Sequence, residues 1–436
     1  MPRVSTIASV SRSAPSVAAA RETRLAGLLY LALGAIVLIF LFGTVHRRTD
    51  AEIQAFNDRF HRVVQVWIEH GYLKHGGLAF TEPGELNPTQ TVWRSSSMAF
   101  LQAAHVLERF HYLLRGSYSY RLMLLHNQAV VLLAAVVIAL LSMRLALRIG
   151  LGREHAFVLG LATLVVFQTF PHNLFYYWEI LPTLAVVLVA STWLLLEESF
   201  VGHDTEPHWV GRCRAVLIFL LVWIEPVSAA IMIAAFVGAC FLLTPESLRR
   251  VALVRNVLLP AAGGVLTLIL QVLWVRYRFP EVTLEGSGLL FRTALDGSTQ
   301  YVQGHWDLVT RRWPTPDWPI NFWKWLFCAG VAATAAVYTF YLCGQATLRS
   351  SVFVLSAAFG LYIPLAFAFL QSVAIHPYGY DIYLLLPLVV ALFGVAPATL
   401  EQRSHNTGVF VYATILLAWC FTFVQLRTYA MQFPLK

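Results

Sequence analysis

Charge is what this sequence has least of. Only 12% of its 436 residues are Asp, Glu, Lys or Arg, against the roughly 25% that dresses a water-soluble domain. That shortage excludes a chain whose whole surface meets water. Cysteine is scarce as well. The five, Cys213, Cys240, Cys328, Cys343 and Cys420, lie in or beside apolar runs, and no two form a CxxC pair. Neither a disulfide framework nor a thiolate metal site follows from them. No glycine-rich phosphate loop is found between the apolar runs, which removes the usual nucleotide-binding signature.

What is present is hydrophobic. Apolar residues make up 58% of the chain and mean hydropathy is +0.65. Runs of about 20 apolar residues recur, the length that crosses a bilayer as a helix. In lipid, each backbone polar group must be satisfied within the span, which selects helices. The runs are continuous, whereas the strands of a membrane barrel alternate. The fold class is therefore an all-α, polytopic membrane helical bundle. It has about eleven transmembrane helices, near 25–45, 122–143, 155–171, 180–196, 214–225, 227–243, 256–275, 322–343, 351–371, 382–399 and 408–426. The formal charge of +8 comes with arginines that flank spans. Membrane lipid and phosphates suit that placement, and nucleic acid does not.

Residues 1–24 read as a basic, disordered cytoplasmic tail with Arg3, Arg12, Arg21 and Arg24. The run that follows is too long for a signal-peptide core and lacks a small-residue cleavage site, so it reads as a retained first helix. Residues 25–436 then form one transmembrane domain. The run at 215–243 is interrupted by Glu225-Pro226. Proline costs a helix a hydrogen bond, so two short helices meeting near one surface are expected. One long kinked helix is the rival, and it would reverse the sidedness of everything after it. Basic residues decide. With eleven spans, Arg144, Arg148, Arg153, Arg212, Arg214, Arg249, Arg250, Arg255, Arg349 and Arg403 fall on one side, and the short loops opposite carry no Lys or Arg. The N-terminus is then cytoplasmic and the C-terminus extracytoplasmic, as in a multi-pass protein of a bacterial inner membrane. Two long polar segments, 46–121 and 276–321, lie outside, and any chemistry is expected there.

The first outer loop carries Ile53, Phe56, Phe60, Val63, Val64, Trp67 and Ile68 at helical spacing. This predicts an amphipathic helix at the interface, ended by Gly71. A second amphipathic stretch runs from Met98 to Arg109. Asp50 stands where the first span meets this loop. A carboxylate there can be partly desolvated, which raises its proton affinity and suits a general base. It can equally be a solvated residue at a helix start.

The order of a first span, an acidic motif, a loop with two amphipathic helices and then many spans resembles the C-type glycosyltransferase superfold (GT-C). Oligosaccharyltransferases, protein O-mannosyltransferases and lipid A aminoarabinose transferases belong to it. The matching residues are Asp50-Ala51-Glu52, the helix end Trp67 to Leu73, and Trp93-Arg94-Ser95-Ser96. The chain departs from the pattern in having Asp-Ala-Glu for the common acidic pair and in lacking the proline pair. The resemblance implies a sugar donor on polyprenyl phosphate, a glycan, lipid or protein acceptor, and an inverting single displacement on the outer face. Asp50 would be the base. Glu52, Glu179 and Glu225 would assist the acceptor or a metal; a Mg²⁺ or Mn²⁺ ion held by Asp50 with a distant acid is compatible with this, but no outer cluster has zinc-ligand spacing.

Other polar residues fit the same chemistry. His376, Tyr378, Tyr380 and Asp381 form a short outer turn, suited to phosphate or sugar, and its tyrosines also suit an aromatic belt. Arg94, Arg311 and Arg312 suit a bidentate grip on phosphate, or ordinary headgroup attraction. Glu179 and Glu225 stand close to hydrocarbon, where an acid is costly and draws a functional reading. Two further classes remain open. A transporter or flippase would carry polar groups near mid-span, and such charges are almost absent. A non-catalytic scaffold would bind lipid phosphate without turnover.

Overall fold

The computed structural model describes residues 51–75, 99–148, 182–200, 207–226 and 254–278, with isolated residues within 153–164 and 229–237. All regular elements among them are helical: α1 (Ala51–His70), α2 (Gln102–Arg115), α3 (Tyr120–Arg148), α4 (Pro182–Phe200), α5 (His208–Ile224) and α6 (Leu259–Arg278). Helices α3 to α6 fall where four spans were expected, shifted by a few residues at their ends. Within α3, Tyr120–Arg144 is the one described helix that is long and apolar enough to cross a membrane by length and composition. Its outer face presents Leu125, Leu132, Leu133, Val136 and Leu140, while Val131, Ala134, Ala135, Ile138 and Leu141 are buried. Helix α6 likewise exposes Val265, Leu266, Ile269, Leu270 and Leu273. A helix apolar on both faces belongs where neither face meets water.

Helix α3 packs on α4, α4 on α5, and α5 on α6. Small residues make these contacts close, as expected where lipid gives no hydrophobic drive to association. An alanine Cβ at Gly264 would lie 2.8 Å from Val222 Cβ and 3.3 Å from the Phe219 carbonyl oxygen. Gly264→Ala is therefore expected to cost about 1–3 kcal/mol. A lowered thermal midpoint in detergent would show it, and Val222→Ala should recover only part of the loss, because alanine removes the Cγ1 contact at 2.9 Å and keeps the Cβ contact at 2.8 Å. Ser191 and Thr192 donate to the carbonyls of Val187 and Leu188 at 2.6 Å each, which satisfies their hydroxyls within α4.

The chain turns back at Glu225. Helix α5 ends at Ile224, Glu225 is extended (φ −145, ψ 89), and its N–H donates to the Leu221 carbonyl. Its own carbonyl accepts the Ala229 N–H at 3.0 Å, so Pro226 occupies the first turn of a new helix, where a missing N–H costs nothing. Two contacts fix the direction. Arg214, before the break, grips both Glu197 carboxyl oxygens, and Phe236, after it, packs its ring 5.0 Å from Trp193. In one continuous helix those two residues would stand about 33 Å apart. Both instead reach the single α4 turn from Trp193 to Glu197, so the segments on either side of Glu225 run antiparallel. The two-helix reading holds, and the long kinked helix does not.

Residues 51–75 and 99–119 form a separate small unit at the start of α3. Phe60, Val63, Val64, Val66 and Trp67 of α1 are all buried in it. The sequence suggested that this face lies on the membrane. It packs within the protein instead, because α2 lies against it and Phe100 meets Phe60 edge-on at 5.6 Å. Gly71, at φ 92, closes α1 with its N–H on the Trp67 carbonyl; an L side chain there would be strained. The unit also touches the other helices. The turn Ala99–Leu101 packs on α5, and Trp274 Nε1 of α6 donates to the Leu73 carbonyl at 3.2 Å.

Candidate functional site

The candidate site is the bundle end covered by this unit. Helix α1 begins at Ala51, directly after Asp50, and Glu52 lies in its first turn. Glu225 is buried at the tip of the α5 turn. Asp50, Arg94, Glu179, Arg311, Arg312, His376, Tyr378, Tyr380 and Asp381 lie outside the described residues, as do the first span and residues 279–321 of the second polar segment, whose first three residues end α6. Among the described residues, no three His, Cys, Asp or Glu side chains gather where a metal ion could sit.

The unit holds a polar interior that the sequence did not single out. Glu108 of α2 is fully buried. One carboxyl oxygen accepts the Ser119 N–H at 3.1 Å, and the other stands 3.6 Å from His61 Nε2 of α1. Ser119 caps α3 in turn: its carbonyl and its hydroxyl both accept the Leu122 N–H, at 3.0 and 3.3 Å. Glu108 thus joins α1, α2 and the first turn of α3. Around it, Tyr118 donates to Glu69 at 2.9 Å and stacks on Tyr112 at 4.8 Å. His105 sits against Trp67 and Tyr72, at 5.7 and 6.1 Å between ring centres. His61 Nε2, Gln102 Nε2, His105 Nε2 and Glu108 Oε1 are buried without a hydrogen-bond partner. Gln102, His105 and Glu108 recur every third residue, a polar stripe along one side of α2. That spacing was the available signal in the sequence.

Burial sets the proton affinities here. It lowers the pKa of His61, while Glu108 and then Asp58 pull it back up. Burial also lowers His105, with a smaller push from Arg109. The Tyr118 hydroxyl is raised by burial first and by Glu69 next. Unfolding would return both histidines to ordinary values near 6.5. The folded unit therefore binds fewer protons than the unfolded one, and its stability is fully present above that pH and is lost as pH falls. Thermal midpoints should drop progressively below about pH 6.5, and His61→Gln should flatten the dependence. A midpoint that rises on acidification would contradict this assignment.

No protein-family model matches the chain, and no curated protein matches it in sequence. A solved structure does match. ArnT from Cupriavidus metallidurans, bound to undecaprenyl phosphate, aligns over 92% of this chain and 77% of its own, with a TM-score of 0.54 at 14% identity. The chain thus shares the fold of a GT-C glycosyltransferase, the fold that the Asp50-Ala51-Glu52 resemblance led us to expect.

Proposed function

We propose that this protein is a glycosyltransferase acting on the outer membrane face, with a polyprenyl-phosphate-linked sugar as donor. One observation carries the reading: the fold is shared along nearly the whole chain with a protein crystallised with undecaprenyl phosphate. The packing of the unit formed by 51–75 and 99–119 against α5 and α6 supports it, since such a unit can enclose a reaction next to the membrane.

In this reading the acceptor hydroxyl oxygen attacks the anomeric carbon as its proton passes to Asp50. The bond from that carbon to the phosphate oxygen breaks, and its electron pair leaves with polyprenyl phosphate. One displacement inverts the anomeric centre. Negative charge grows on the leaving phosphate, where cationic groups act most strongly; Arg94, Arg311 and Arg312 are assigned to it. His376, Tyr378, Tyr380 and Asp381 hold phosphate or sugar. Glu52, Glu179 and Glu225 orient the acceptor, a glycan, lipid or protein.

The test uses purified protein in proteoliposomes with polyprenyl-phosphate sugars labelled in the sugar. Label moving to an acceptor, with equimolar release of polyprenyl phosphate, supports the proposal. Labelled donor that crosses the bilayer unchanged would make the protein a flippase. Binding with neither result would make it a scaffold.

A further inference from the structure

Glu108 is a buried acid that the sugar-transfer reading leaves without a role. Taking a carboxylate out of water is costly, and replacing buried charged groups by well-packed apolar residues is often neutral or stabilising. What Glu108 contributes is therefore geometry. Apolar packing does little to fix α2 at this point. Val106, Phe110, Leu113 and Leu114 are exposed, and the buried residues of α2 are Ala104, His105 and Glu108. The two oxygens of Glu108 reach two different elements. One meets the Ser119 N–H at 3.1 Å, just before α3 begins, and the other lies 3.6 Å from His61 Nε2 of α1. Neither His61 Nε2 nor this second oxygen has another hydrogen-bond partner, so separating them would leave two buried polar groups unpaired. The His61 ring also stands edge-on to Tyr118 and Tyr120, with ring centres 6.5 and 5.6 Å away. At His61, then, α1 is held to the head of α3, the helix of membrane-crossing length.

We propose that Glu108 is a positioning residue for sugar transfer: by holding His61 against the head of α3 it sets the tilt of α1, and through α1 the place of Asp50. The proposal rests on the reading of Asp50 as the base. Helix α1 starts at Ala51, the residue after Asp50, and runs to His70 with neither glycine nor proline. Those residues are the usual causes of a kink, so α1 moves as a rod. From His61 to Ala51 it measures about 15 Å. A tilt of about 5° at His61 then carries Ala51 sideways by about 1.3 Å. A misplacement of about 1 Å can cost on the order of 10²-fold in rate. Apolar attraction is non-directional and resists so small a tilt poorly. A carboxyl group fixed at one oxygen by a backbone N–H offers a directional stop.

The test pairs a distance with a rate. The full chain, cleared of its five native cysteines, is spin-labelled through Gln54→Cys near the start of α1 and Leu125→Cys on the exposed side of α3. Pulsed electron resonance reads the separation of the labels in proteoliposomes. Sugar transfer is measured on the unlabelled chain, per folded protein after gel filtration. Glu108→Ala should broaden the distance distribution and lower kcat by about 10–10²-fold. His61→Leu breaks the same joint from the other side and should do likewise, which keeps the test decisive where Glu108→Ala does not fold. Glu108→Gln, whose amide can still serve both Ser119 and His61, should keep a narrow distribution and most of the rate. In the Asp50→Asn background, Glu108→Ala should lower the residual rate no further, because the two residues act as one unit. A distribution unchanged by Glu108→Ala would overturn the proposal. So would an equal fractional loss of rate in both backgrounds, the mark of a merely structural residue. Full turnover by Asp50→Asn would instead overturn the base assignment, and the proposal with it.

Discussion

Asp50→Asn should leave a folded protein whose sugar transfer is reduced by about 10²–10⁴-fold, the usual contribution of a positioned general base. Asparagine keeps the size and hydrogen-bonding capacity of aspartate but cannot take up the acceptor proton. The loss should therefore fall on kcat. Donor binding should change little, because the phosphate grip is assigned to arginines. Two controls separate the outcomes. Thermal midpoints in detergent should match the parent protein, which excludes misfolding, and polyprenyl phosphate should still compete for the donor site. Undiminished turnover in the variant would remove Asp50 as the base while leaving the shared fold untouched. Arg94→Gln and Arg311→Gln are expected to lower kcat and raise KM together, because the cations assigned to the phosphate hold the donor and also meet the charge that grows as it leaves.

The largest expected effect on stability lies at the other end of the bundle. Arg214 holds Glu197 through Nε and Nη2, with the second contact at 3.2 Å, and Trp193 Nε1 donates to the same carboxyl group at 3.0 Å. Both charged side chains are nearly buried, at 8% and 12% relative exposure. Arg214→Ala would strand the carboxylate among apolar helices, and removing one partner of a buried pair costs about 3–5 kcal/mol. The double variant Arg214→Met with Glu197→Gln should recover most of that loss, since a well-packed neutral pair is often as stable as the ionic one. Thermal unfolding of the three proteins in the same detergent tests it. A single variant as stable as the double would mean that the pair contributes nothing.

Much of the fold was legible before any coordinates. Apolar run length located α3, α4, α5 and α6. Glu225-Pro226, weighed with the one-sided distribution of arginines, identified a turn that hydropathy alone merges into one run. The Asp50-Ala51-Glu52 neighbourhood pointed to the right superfold. What sequence could not supply was partnership. A helical pattern shows that two faces differ, but not what each face meets. For α1 the apolar face proved internal, and for α2 it proved external. His61 and Glu108 lie on different helices, and only packing brings them within 3.6 Å. The helix ends also escaped, because the Glu197–Arg214 pair lets α4 and α5 continue past residues that a charge count treats as boundaries.

The turn at Glu225 has a consequence for membrane thickness. From Trp209, an exposed aromatic near the start of α5 and of the kind that anchors at interfaces, the helix rises about 24 Å to Glu225. Bilayer hydrocarbon is about 30 Å deep, so α5 is too short to fill it. A short helix is accommodated by thinning the membrane around it, at fractions of a kcal/mol per ångström. The bilayer surface on that side should therefore dip over this turn, toward the place where the turn Ala99–Leu101 meets α5. A lipid drifting laterally into that depression would bring its phosphate down to the protein's polar cap, without the cap having to reach up for it.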